Sequence, residues 1–151
     1  MYALVIDASA VMRQQLVRTL EALGWEVGVA QTGRDALQHL NALPYCDLVF
    51  ADWCMPDMDG LELCRAVRNA GRHQLTPIIM TAYDVDAAAT QQALQAGANA
   101  ILNKPFARQT LQQRMVTVMS AAYVREDKVW TDSDVAGTTA NRIGDLYRAV
   151  G

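Results

Sequence analysis

The sequence lacks most of what would tie it to several common functions. Its three cysteines, Cys46, Cys54 and Cys64, form an odd set without a C-x-x-C pair, so free thiols are expected rather than a disulfide framework or a zinc site. His39 and His73 stand apart from each other and from the cysteines, which leaves metal-ligand clustering without support and gives both an ordinary surface or packing role. No stretch approaches the length of a membrane span, and the apolar run from Met1 to Ile6 is too short, and too poor in basic flanking residues, for a signal peptide. Basic residues are scattered, and 13 Lys and Arg against 16 Asp and Glu give a net charge of −3, no footprint for nucleic acid. These absences lead to the expectation of a soluble, cytoplasmic protein that binds neither membrane nor nucleic acid directly.

What is present is a chain of 151 residues, 52% of them hydrophobic, enough for one domain with a core and a short appendage. Residues 3–6 are an apolar run ending at Asp7, and Ser9 can cap a helix whose Val11, Met12, Leu16, Leu20 and Leu23 recur at three- and four-residue steps until Gly24. A strand over 25–30 and a helix over 34–43, closed by Pro44, follow. Leu48, Val49 and Phe50 run to Asp52 as a buried strand, and a helix begins after Gly60. A fourth strand runs over 77–82, with a helix over 85–96 stopped by Gly97. A fifth strand over 100–102 reaches Asn103 and Lys104, and Pro105 precedes a helix from Arg108 to about Ala121. Five alternations of strand and helix predict a parallel sheet with helices on both faces, because each right-handed crossover needs a helix.

Such sheets place their chemistry at the carboxyl ends of the strands. Asp7, Asp52, Thr81 and Lys104 are delivered there by the first, third, fourth and fifth strands. The stretch DLVFADWCMPDMDG that starts at Asp47 is the most informative, with Asp52 at the strand end, Asp59 suited to capping the following helix, and Asp57 read as a solvated loop charge.

At this spacing the chain resembles the receiver domain of two-component response regulators, the CheY-like superfamily, on four motifs in order: IDASAVMR, DWCMPDMDG, TA and NKPF. The resemblance spans residues 1–121 as a receiver domain and leaves 122–151 as a polar connector and short amphipathic helix. It implies a flavodoxin-like, doubly wound, five-stranded parallel sheet, and a phosphoacceptor of signalling rather than a conventional enzyme. Asp52 matches the aspartate that accepts a phosphoryl group, Lys104 the lysine that pairs with that group, and Thr81 the hydroxyl that hydrogen-bonds to it. Asp7 matches the first of two acidic residues that hold Mg2+, with Asp52 and the backbone carbonyl of Cys54 on the same ion. The implied partners are a histidine kinase or phosphotransfer protein and a downstream protein. The chemistry agrees, since a carboxylate accepts a phosphoryl group only where charge is neutralised and the attacking oxygen held in line, and magnesium takes hard oxygen ligands. A stand-alone hydrolase is disfavoured by the absence of a histidine suited to general acid or base work.

Three positions depart from the family pattern. Ala8 stands where the second acidic residue is expected, which weakens the metal site and supports an alternative, an interaction module that is poorly phosphorylated or not phosphorylated at all. Ile101 stands where the family places the aromatic that rotates inward on activation. Tyr83 lies near the approach of attacking water, which predicts slow hydrolysis, against a plain reading as an exposed loop tyrosine. Cys54 reads as a packed small hydrophobe rather than a redox sensor. The fourth and fifth helices are rich in Ala and Gln, with Arg108 and Arg114 among few charges, and lack the charged pairing surface of receivers fused to winged-helix domains. In the tail, Ile143, Leu146, Tyr147 and Val150 form a helical stripe that either packs on its own domain or serves homodimer or partner contacts.

Overall fold

In the computed structural model, residues 1–69 and 71–125 are described. Five strands, β1 (Tyr2–Ile6), β2 (Glu26–Ala30), β3 (Leu48–Asp52), β4 (Ile78–Ala82) and β5 (Ala100–Asn103), alternate with α1 (Ala10–Ala22), α2 (Gly33–Ala42), α3 (Gly60–Asn69), α4 (Ala87–Ala96) and α5 (Arg108–Arg125). All strand pairs are parallel, in the order β2-β1-β3-β4-β5, the flavodoxin-like arrangement expected from the alternation.

The period of two along each strand divides the core. Leu4, Ile6, Val49, Ala51, Ile78 and Met80 face one layer, with Ala36 and Leu40 of α2, Leu63 and Val67 of α3, and Ala93 and Ala96 of α4. Ala3, Val5, Leu48, Phe50 and Ile79 face the other, with Leu16 and Leu20 of α1 and Leu111, Met115, Val118 and Met119 of α5. β3 and β4 are buried along their whole length, so Asp52 and Thr81 are carried to the sheet edge by strands with apolar neighbours on both faces.

Side-chain caps set several helix starts, and two of these caps, Ser9 and Asp59, are ones the sequence marks. The Ser9 hydroxyl accepts from the Met12 amide, the Asp86 carboxylate from Ala89, and the Asp59 carboxylate from Glu62 at 2.8 Å. Gly97 closes α4 at φ +110°, a left-handed value open to glycine. α5 runs on to Arg125, past the expected end near Ala121, because neither Gly nor Pro intervenes. The amphipathic stripe of the tail lies outside the described residues.

At the amino-terminal edge of the sheet, Arg68 works as a brace. Its guanidinium donates to the carbonyls of Gly97 (2.9 Å), Gln74 (3.1 Å) and Thr76 (2.7 Å) and to the Asn99 side chain (2.9 Å). His73 is buried and donates through Nε2 to the Leu40 carbonyl at the end of α2 (2.8 Å), a packing role as expected. His39 pairs with the Tyr2 hydroxyl at 3.1 Å.

Candidate functional site

The site is assembled where four strands end side by side. Asp52 and Thr81 are register partners, and Asp7 and Lys104 directly follow β1 and β5. The Lys104 ammonium reaches both carboxylates, lying 2.8 Å from Asp7 Oδ2 and 3.1 Å from Asp52 Oδ1. Asp7 is fixed further by the Ser9 amide, which donates to its other oxygen at 2.8 Å, and Arg13 donates to its backbone carbonyl at 2.6 Å. Lys104 is placed by its own amide, which donates to the Ala82 carbonyl at 2.7 Å, and its peptide bond to Pro105 is cis.

Asp7, Asp52, Thr81 and Lys104 are all buried polar groups. Burial pushes the Asp52 carboxyl above its ordinary 3.8, and the charge of Asp7 adds to that, while the Lys104 hydrogen bond pulls the other way without prevailing. Burial also acts to lower the Lys104 ammonium, but hydrogen bonds to Asp7 and Asp52 and their charges more than offset it, leaving Lys104 above its ordinary 10.5. The site is thus a buried cluster of two carboxyl groups bridged by one cation.

A pocket of about 440 Å³ opens over this cluster, lined by Ala8, Met12, Trp53, Cys54, Tyr83 and Ala89 together with Asp7, Asp52 and Lys104. Tyr83 is 62% exposed, yet its ring centroid lies 5.3 Å from the Lys104 nitrogen. It is both an exposed loop tyrosine and a wall of the site, in cation–π contact with the lysine. Cys54 is exposed in the loop after β3, which corrects its expected packing role, because it is the flanking Trp53 and Met55 that turn toward the core there. Ile101 is buried within the core layer of α2, α3 and α4.

Asp57 is the exposed loop charge expected, and it has a further role. It is a cap in trans, its carboxylate accepting from the Gly33 amide at 3.0 Å and the Arg34 amide at 2.9 Å at the start of α2. These hydrogen bonds, that from Arg34 the largest, hold its carboxyl below the ordinary 3.8. Beside it Met58 fills the space over Gly33, where a Cβ would collide with Met58 Cγ. No local signal in the sequence marks Asp57, whose partners are 23 and 24 positions away. Nor does any mark Arg13 as a partner of the Asp7 backbone.

The donor set suits magnesium. Asp7 and Asp52 converge on one point, where a single ammonium now bridges them, and that ion typically takes one or two carboxylates, with water filling its remaining positions. With Ala8 in the pocket wall and Asp57 and Asp59 engaged as caps, no group of three or more His, Cys, Asp or Glu suited to a metal occurs among the described residues.

Comparisons with known proteins identify the family. The response regulator receiver domain model matches residues 3–116. Chemotaxis protein CheY1 of Helicobacter pylori is 38% identical over 120 residues, covering 79% of this chain and 97% of that protein. The crystallised chemotaxis protein CheY4 of Vibrio cholerae superposes with a TM-score of 0.73 at 33% identity, over 78% of this chain and 97% of that one. The receiver domain of the sensor histidine kinase PA1611 from Pseudomonas aeruginosa, whose structure has a magnesium ion coordinated in the active site cleft, gives a TM-score of 0.70 at 26% identity, covering 78% and 95%. No helix among the described residues is long and apolar enough to cross a membrane.

Proposed function

The chain belongs to the response regulator receiver domain family, CheY-like and part of two-component signalling, and from that premise we propose that Asp52 accepts a phosphoryl group from a histidine kinase or phosphotransfer protein. The observation that carries this reading is the bridge of Lys104 to Asp7 and Asp52, at 2.8 and 3.1 Å, beside the register partner Thr81. Asp52 attacks phosphorus with one carboxylate oxygen as the bond from phosphorus to the donor nitrogen breaks. Lys104 turns from the carboxylates to a phosphoryl oxygen, and the Thr81 hydroxyl donates to another. Asp7, Asp52 and the Cys54 carbonyl would hold Mg2+, which supplies positive charge against the transferred group. The product alters binding to a downstream protein, and the setting is cytoplasmic. Because Ile101 is already buried, the rearrangement passes through the β4–α4 loop and Lys104 rather than through an aromatic swinging inward.

A second reading rests on Ala8, which removes a metal carboxylate and favours a constitutive interaction module. Incubation with phosphoramidate or acetyl phosphate and Mg2+, followed by intact mass, separates the two. A phosphoryl adduct on the parent that is absent from Asp52→Asn supports the switch. An unmodified parent beside a labelled Ala8→Asp supports the module.

A further inference from the structure

We propose that the chain's own C-terminal segment, residues 126–151, docks in a groove at the amino-terminal edge of the sheet. The groove, about 610 Å³, lies between the ends of α4 and α5 and includes Leu75, Leu94, Ala98, Val118, Arg68 and Arg114 in its lining. Leu75 is 77% exposed and Leu94 50%, and both line the groove together with the buried Ala98, Ala100 and Val118. Arg68 spends its donors on carbonyl and amide oxygens, with no carboxylate among those partners, so dipoles solvate its charge without neutralising it. Arg114 adds a second cation to the same groove.

Three observations select the occupant. First, Thr117, Val118 and Ala121 of α5 are themselves lining residues, so the chain leaves the domain beside the groove. Second, the segment that follows opens with Glu126, Asp127, Asp132 and Asp134 against the single Lys128, opposite in sign to Arg68 and Arg114. Third, Ile143, Leu146, Tyr147 and Val150 fall at i, i+3, i+4 and i+7, the spacing of anchors by which an amphipathic helix fills an apolar groove. At about 3.3 Å per extended residue, the stretch between Arg125 and Ile143 is long enough to fold back without strain. A helix this short is marginal alone, so its stripe needs the surface that the two leucines offer. The groove is at the opposite edge from Asp52, so this docking stands independently of phosphoryl chemistry.

Hydrogen exchange on the full chain tests it, with Leu146→Asp in the stripe and, separately, Arg114→Glu on the exposed rim. In both variants amide protection across residues 94–100 and 114–121 should fall roughly tenfold, at every protein concentration, while β1 is unchanged. Unchanged protection at the groove in both variants would overturn the proposal. So would an effect that disappears on dilution together with a dimer in sedimentation, because the groove would then hold the segment of a second copy. Arg114→Glu alters no core residue, so it decides between these outcomes by itself should Leu146→Asp lose protection throughout the sheet.

Discussion

The ammonium of Lys104 lies 3.1 Å from a carboxylate oxygen of Asp52, at the ends of two strands that are not neighbours in the sheet. The same nitrogen holds Asp7, which is 1% exposed, so Lys104→Met leaves two buried carboxylates without their cation. Breaking a buried pair in this way costs about 3–5 kcal/mol. Urea unfolding should show the midpoint falling with an unchanged slope.

Asp52→Asn should do the reverse in metal-free buffer. A carboxyl raised by burial binds its proton more tightly when folded than when unfolded, so its favourable contribution is full below 3.8 and is lost as pH rises through the higher folded value. The amide escapes that loss. The variant should be more resistant to urea than the parent at neutral pH, with the gap narrowing as both are titrated down toward pH ~4.

Ala8→Asp restores a carboxylate to the pocket wall. Magnesium affinity should rise by at least about 10- to 100-fold, the scale on which even outer-shell partners of a metal act. Trp53 lines the same pocket, so its fluorescence on Mg2+ titration reads the change without reference to phosphorylation.

Tyr83→Ala should shorten the life of the acyl phosphate. The ring stands over Lys104 and narrows the approach for water, and an alanine opens that side of the pocket. The decay of the phosphoryl adduct by mass, after donor removal, measures it. An unaltered lifetime would leave Tyr83 as an exposed aromatic with no part in hydrolysis.

Arg68→Met removes the brace at the other edge. The carbonyls of Gly97 and Thr76 lose a charged donor, and the loss should be at least about 1.5–3 kcal/mol, with Arg68→Lys recovering only part of it because one ammonium cannot reach all the acceptors. Chemical denaturation of both variants is the check.

Thiol labelling separates the cysteines. Burial pushes Cys46 up to about 12 and Cys64 to about 11, whereas Cys54 is exposed. Iodoacetamide at mildly alkaline pH should add one group to the native chain, at Cys54, and three in urea. The raised thiols, with Lys104, hold protons more tightly folded than unfolded. Their stabilisation is complete below about pH 9 and lost as pH climbs through the folded values, so the native state should weaken on the alkaline side.

The sequence made legible whatever depends on near neighbours. Strands appear as apolar runs bounded by polar residues, and Ser9 and Asp59 reveal their caps because the amides they satisfy are three residues on. The same locality explains the misses. Asp57 looks like any loop acid until the start of α2 is brought against it, and Cys54 looks packed only because its apolar neighbours Trp53 and Met55 are half-buried while it points outward. α5 overran its expected end because a helix without a stop residue continues while its backbone bonds can form. The convergence of Asp7, Asp52, Thr81 and Lys104 on one edge follows from topology, but the double grip of Lys104 belongs to side-chain packing that no spacing encodes.

The segment between Asp52 and Gly60 is moored at three places: the Trp53 amide to the Thr81 carbonyl, the Gly60 amide to the Trp53 carbonyl, and Asp57 to the start of α2. Its contour length is therefore fixed even where its side chains are free to vary. Substitution at the exposed Cys54 or Pro56 leaves every mooring in place. A one-residue insertion or deletion between Trp53 and Asp57 must break at least one, so in this loop length is a stricter constraint than composition.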